Sequence, residues 1–161
     1  MTFRRGAILA TIAAILLAPI VAAPAQADST VGLYYSSTVN SSPTIGRSAV
    51  TGGSTSTVTT PTGSFGNANI AIQGNYLYWA TSTTIGRATL DGSVVENDFL
   101  TGLTNVNALA VNDKYIFWGN DMKVGRANLD GTGKDTSFIN AGHLVTYLAA
   151  NSSLIYYAGN A

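Results

Sequence analysis

His143 is the single histidine of a 161-residue chain that carries eight acidic and eight basic side chains. A Ser-His-Asp triad needs only one histidine, yet no serine stands in a Gly-x-Ser-x-Gly elbow or another nucleophile setting. The plainer reading of His143 is a solvated loop residue. Asp91, Asp121 and Asp130 could ligate calcium, but none falls in an Asp-x-Asp-x-Asp-Gly spacing, and Asp91-Gly92 and Asp130-Gly131 are the dipeptide of a tight turn. Arg47, Arg87 and Arg126 follow the same Gly in three similar segments. They could form a ring that binds an anion, although packing and hydrogen bonding between repeated units is the simpler role. With no cysteine there is neither a thiolate metal site nor a disulfide. The expectation is a chain with no catalytic residue, metal or cofactor.

The elements that position these residues repeat. Ile45-Gly46-Arg47 recurs as Ile85-Gly86-Arg87 and Val124-Gly125-Arg126, spaced by 40 and 39 residues. Tyr76-Leu77-Tyr78-Trp79 returns 39 residues on as Tyr115-Ile116-Phe117-Trp118 and again as Leu154-Ile155-Tyr156-Tyr157, with Gly32 to Tyr35 a worn first copy. Leu90-Asp91-Gly92 matches Leu129-Asp130-Gly131, and Ile70-Ala71-Ile72 matches Leu109-Ala110-Val111 and Leu148-Ala149-Ala150. Self-similarity at such a period marks a repeat architecture.

Each unit reads as four short antiparallel strands. Strand a is the Leu-Ala-Val run, closed by Gly74-Asn75 or Asn112-Asp113, pairs that favour tight turns with positive φ. Strand b is the aromatic run. Leu77 and Trp79 point to one face and Tyr76 and Tyr78 to the other, so both faces must be covered. Strand c is Ile-Gly-Arg-Ala, in which Gly86 and Ala88 share a face and would let a neighbouring sheet approach closely. The Asp-Gly turn leads into strand d, Glu96 to Leu100 or Thr136 to Ile139. Four strands buried on both faces at a period near 40 residues make a β-propeller blade, with a β-solenoid the alternative.

The segment Val124 to Gly133, preceded by Tyr115-Ile116-Phe117-Trp118, resembles the YWTD repeats of the low-density lipoprotein receptor class B type, and more closely the secreted bacterial proteins built from them. The resemblance spans Gly32 to Ala161. It implies a secreted, non-catalytic binding or scaffold protein that holds a protein or carbohydrate on one face. The family's Thr-Asp after Tyr-Trp is replaced by Ala80-Thr81 and Gly119-Asn120. The first unit has Tyr35-Ser36 in place of Trp, a b-to-c loop longer by four residues, and Thr51-Gly52-Gly53 in place of Leu-Asp-Gly. Its Gly53 to Asn67 stretch reads as loop or as strand d. Propellers also host lyases and lactonases, which leaves an enzyme with His143 as base as the alternative.

Arg4 and Arg5, the apolar stretch from Ala7 to Val21 and Ala25-Gln26-Ala27 form the pattern of a signal peptide cleaved after Ala27. The stretch is shorter than the ~20 residues a membrane span needs. Residues 1–27 are therefore expected to be a signal peptide and 28–161 the repeat domain, with units near 31–66, 67–105, 106–144 and a partial 145–161. Removal of the two arginines leaves six basic side chains against eight acidic ones, a net charge of −2. That balance offers no footprint for nucleic acid and no polybasic membrane patch. Asn40-Ser41-Ser42 and Asn151-Ser152-Ser153 match the glycosylation pattern, which chance supplies in a chain so rich in Asn and Ser.

The expected fold is all-β: a partial propeller of about three four-stranded blades plus a terminal strand pair, since strands b, c and d, two full units and a final a–b pair can be counted. A closed ring needs ~4 blades or more. Either two copies complete a six-bladed ring, strand a of one filling the vacancy in the partner's first blade, or the gene is a remnant of a longer propeller. In such a meander the b-to-c and d-to-a loops share one edge. Those loops, Ala80 to Thr84, Asn120 to Lys123, Leu103 to Asn107 and Ala141 to Thr146, are longer and more polar than the opposite turns. They make Asn105, Asn107, Asn120, Asp121, Lys123 and His143 the candidate ligand surface, with Trp79, Trp118, Arg47, Arg87, Arg126, Asp91 and Asp130 as structural repeat positions.

Overall fold

The computed structural model describes residues 32–39, 42–62 and 70–160. The expected signal peptide and the junction between the first two units, residues 63–69, lie outside the described residues, as does the Asn40-Ser41 pair. Thirteen strands are formed among the described residues. They are β1 (Leu33–Val39), β2 (Ser42–Ser48), β3 (Thr55–Thr59), β4 (Ile70–Gln73), β5 (Tyr76–Ala80), β6 (Ile85–Thr89), β7 (Val95–Leu100), β8 (Val106–Val111), β9 (Tyr115–Asn120), β10 (Lys123–Asn128), β11 (Asp135–Asn140), β12 (Tyr147–Ala150) and β13 (Ile155–Ala158).

These strands make four separate antiparallel meanders: β1-β2-β3, β4-β5-β6-β7, β8-β9-β10-β11 and β12-β13. Among the described residues the arrangement is that of propeller blades: one of three strands without a strand a, two complete ones, and an a–b pair. Separate four-stranded meanders are not the continuous coils of a solenoid.

Successive sheets bury their faces against one another. Leu77 and Trp79 of β5 join Tyr34, Ile45 and Val58 of the first sheet in one core. Tyr78 and Ile85, on the opposite face of that second sheet, join Ile116 and Trp118 of the third. Phe117 and Val124 face onward to Val145, Leu148 and Ile155. This alternation is what a strand with apolar residues on both faces requires. Trp79 and Trp118 are fully buried. At ~25 cal/mol per Å2 and roughly 200 Å2 per indole, each contributes about 5 kcal/mol of burial.

One register recurs in every blade that has strands b and c. Tyr35 pairs with Gly46, Trp79 with Gly86 and Trp118 with Gly125. The ring lies across the glycine of its own partner strand: a Cβ on Gly86 would run into the Trp79 indole, one on Gly125 into Trp118, and one on Gly46 into the Tyr35 ring. The space over Gly86 therefore belongs to the aromatic side chain of the same sheet and does not admit a neighbouring sheet, contrary to the sequence expectation.

The first blade differs from expectation in two further ways. Its extra b-to-c residues are not loop, because β1 and β2 stay paired out to Val39 and Ser42 and form a longer hairpin. The Ser/Thr-rich stretch does provide a strand d, with Arg47 opposite Ser56 and Ser48 opposite Thr55. The a-to-b turns also diverge. Gly74 adopts φ +57, whereas the Asn112 turn needs no positive φ because the Asn112 side-chain oxygen accepts the backbone N–H groups of Lys114 and Tyr115 at 3.0 and 2.8 Å. Asn151 closes the last turn likewise, through Ser153 and Leu154.

Candidate functional site

The b-to-c and d-to-a segments are stitched together along one edge by the backbone. Leu103 and Val106 donate to the carbonyls of Thr83 and Ser82 at 3.2 and 3.1 Å, and Ala141 and Val145 donate to those of Met122 and Asp121, both at 2.9 Å. Thr81 fixes its loop from within, its hydroxyl accepting the N–H groups of Thr83 and Thr84. Thr81 and Asn120 hold equivalent places after the tryptophan, and both are buried.

Along this edge, where the second and third blades meet, is a groove of about 680 Å3 lined by Gly102, Thr104, Asn120, Asp121, Met122, Lys123, Thr136 and Ser137. Asn120, Asp121 and Lys123 come from the two-residue β9–β10 hairpin and its flanks, and Gly102 and Thr104 from the preceding d-to-a loop. Asp121 takes φ +53 to close the hairpin, and Asn105 takes φ +48. The Asn105 amide donates to the Asp121 carboxylate at 3.0 Å, which locks the loop to the hairpin. Asn107 donates to the Asn105 carbonyl at 2.9 Å. The Lys123 ammonium donates to the Ser137 hydroxyl at 3.3 Å, and the Asn120 amide donates to the Thr136 carbonyl at 3.3 Å. Among the described residues the buried Asn120 side-chain oxygen has no partner. The floor thus presents an amide, the walls an ammonium, a carboxylate and hydroxyls, and exposed Met122 adds an apolar rim.

Of the six candidate residues, Asn120, Asp121 and Lys123 line the groove, and Asn105 supports it through Asp121. Asn107 is held to the Asn105 carbonyl and does not line it. His143 is apart: it sits in the next d-to-a loop, half-buried, with its ring centroid 5.8 Å from that of Tyr157 and its Nδ1 3.2 Å from the Leu144 carbonyl. Thr136 and Ser137 had no signal in the sequence, because strand d carries the weakest repeat pattern. Among the described residues no three His, Asp or Glu side chains cluster as a metal set would.

Two of the three repeated arginines join blades by a hydrogen bond. Arg47 Nη1 donates to the Leu90 carbonyl at 2.9 Å, and Arg87 Nη1 to the Leu129 carbonyl at 3.2 Å, each reaching the c-to-d turn of the following blade. The Arg87 guanidinium lies 3.8 Å from the Phe99 ring centroid and 4.8 Å from that of Tyr76, and it pairs with Glu96. Burial alone would lower its pKa; the hydrogen bond to and the charge of Glu96 reverse that and raise it. Arg126 is sandwiched likewise, 4.5 Å from the centroid of Tyr115 and 4.0 Å from that of Phe138, but has no hydrogen-bond acceptor among the described residues. An additional link between blades, the Asn112 amide donating to the Asn151 carbonyl at 2.8 Å, was not anticipated.

Asp91 and Asp130 hold turns. The Asp91 carboxylate accepts the Thr89 hydroxyl at 2.6 Å and both the N–H and hydroxyl of Ser93, which together depress its pKa to about 2, the Thr89 bond most strongly. Asp130 is lowered in the same way by the hydroxyl and then the N–H of Thr132. Gly92 and Gly131 follow at φ +78 and +85, values that suit glycine.

A β-propeller class of architecture is what these stacked meanders define. No protein-family model matches the chain, and no curated protein matches it by sequence. Solved structures do. A chain from the crystal structure of a nidogen/laminin complex aligns with TM-score 0.56 and 16% identity, covering 80% of this chain and 68% of that one. A chain of the computationally designed protein Ika4 aligns with TM-score 0.56 and 12% identity, covering 78% of each. At such identities the likeness is one of fold alone.

Proposed function

We propose that this is a secreted, non-catalytic YWTD-type propeller-repeat protein that binds a protein ligand through the groove on its b-to-c and d-to-a edge. The observation that carries the reading is the groove itself. Asn120, Asp121, Lys123, Thr136 and Ser137 offer both charge signs, an amide and two hydroxyls within about 680 Å3; Asn120 and Lys123 are paired across the β9–β10 hairpin that carries Asp121, and Thr136 and Ser137 lie on β11. A rigid scaffold presenting mixed polar groups suits recognition of a peptide segment, whose backbone supplies complementary donors and acceptors. The likeness in fold to a nidogen chain crystallised with laminin favours a protein ligand over a carbohydrate.

The test is binding of the purified protein to arrays of peptides and of glycans, repeated with Asn120→Ala/Lys123→Ala and with Asp113→Ala on the opposite edge. The reading expects peptide hits that the groove variant loses at least tenfold and the control keeps. Hits confined to glycans, hits that survive the groove variant, or none on either array would overturn it.

A further inference from the structure

Three contacts between sheets within the chain are copies of one design, and each has two halves. The forward half is the third residue of the aromatic strand with the first apolar residue of strand c: Tyr34 and Ile45, Tyr78 and Ile85, Phe117 and Val124. The backward half is contributed by the residues on either side of that aromatic position in the following blade: Leu77 and Trp79 receive the first pair, Ile116 and Trp118 the second, and Ile155 lies in the third.

The register fixes the equivalences, because Leu109 pairs with Trp118 as Leu148 pairs with Tyr157. Among the described residues, no forward half faces Leu33 and Tyr35, and no backward half faces Tyr156. Leu33 is 61% exposed and Tyr156 55% exposed. Beside Tyr156, Tyr147 occupies the place of fully buried Ala108 and is itself 73% exposed. The last sheet thus carries a bulkier forward face than the internal blades do, while the first carries Tyr35 where internal blades carry the larger Trp. The two ends complement one another in kind and in volume.

We infer that a second copy of this chain docks head to tail, the β12–β13 face of one molecule covering the β1–β2 face of the next. The contact reproduces the strand-b part of the one already made three times inside the chain, the β12–β13 sheet having no strand c among the described residues, and it leaves every strand in its own sheet. That differs from completing the ring by strand exchange, since β12 is already paired along its length with β13, from Tyr147 opposite Ala158 to Ala150 opposite Ile155. A head-to-tail contact is heterologous: it closes into a ring or extends as a filament according to the angle between copies. The inference is independent of the ligand groove, which lies on another edge.

The test is light scattering of the purified protein beside Tyr156→Lys and Leu33→Lys, both at side chains exposed in the single chain, with circular dichroism to verify folding. Tyr147→Lys is the substitute for Tyr156→Lys, and Leu33→Ser for Leu33→Lys, if either variant does not fold. Wild type is expected as a dimer or larger, and each variant alone as a monomer of at most half the wild-type mass. An equimolar mixture of the Tyr156→Lys and Leu33→Lys variants is expected to recover a heterodimer, because one forward and one backward face remain intact. A monomeric wild type, a Leu33→Lys variant that associates like wild type, or a mixture that stays monomeric would each overturn the inference. The second of these would indicate tail-to-tail docking.

Discussion

Replacing Arg87 by Met keeps the apolar stem and removes the guanidinium, and the structure sets what that removes. The bond to the Leu129 carbonyl, from a charged donor, is worth about 1.5–3 kcal/mol. The stack on Phe99 and Tyr76 adds about 0.5–1 kcal/mol for each ring. The pair with half-exposed Glu96 adds about 0–1 kcal/mol. Because these share one group and do not add fully, the expected loss is about 3 kcal/mol. Arg126→Met removes a similar stack on Tyr115 and Phe138 but no bond to a following blade, so about 1–2 kcal/mol is expected. Glu96→Gln separates the ion pair and is expected to cost at most about 1 kcal/mol. Urea unfolding with a common m value reads these differences as midpoint shifts. An Arg126→Met loss equal to or above that of Arg87→Met would refute the idea that the repeated arginine acts as a clamp between blades.

Gly125→Ala places a Cβ against the Trp118 indole and is expected to destabilise by about 1–3 kcal/mol, with Trp emission shifting to the red as the ring is displaced. Gly142→Ala, at a glycine with φ +72 and no neighbour to meet, is expected to leave emission unchanged. Asp91, with a folded pKa near 2 against an ordinary 3.8, contributes stability that is fully present above pH 3.8 and is lost as pH falls toward 2; Asp91→Asn is expected to flatten acid unfolding over that window. Expressed in a secreting bacterial host, the protein is expected to show an intact mass beginning at Asp28, and a mass that retains residues 1–27 would contradict export by cleavage.

The fold was legible because its signals are periodic and local. The recurrence of Ile-Gly-Arg and of the aromatic run placed strands b and c, and the Asp-Gly pairs placed the c-to-d turns. The order of sheets followed from counting strands. What the sequence hid was contact rather than pattern. Gly46, Gly86 and Gly125 are spaced by the repeat, but that each lies beneath an aromatic ring of its own sheet follows from strand register, which no single strand encodes. The long first hairpin was read as loop from its extra residues between Tyr35 and Ile45, which carry no repeat landmark, whereas seven paired positions join β1 to β2. At the candidate site, the loop residues Asn120, Asp121 and Lys123 could be inferred from topology. Thr136 and Ser137 could not, since they line the groove only because strand d of that blade passes beside the hairpin. His143 was included on loop position alone, and the structure sets it one blade interface away.

Blade register is the claim on which the groove, the arginine clamps and the exposed faces of the first and last sheets all rest, and nuclear Overhauser contacts on the labelled protein test it most directly. The account predicts cross-strand contacts from the Hα protons of Gly86 to the Trp79 indole and of Gly125 to the Trp118 indole, with those protons moved upfield by the overlying rings, and the same from Gly46 to Tyr35. Contacts from these glycines to aromatic rings of a neighbouring blade, or glycine shifts in the ordinary range with no ring contact, would contradict it.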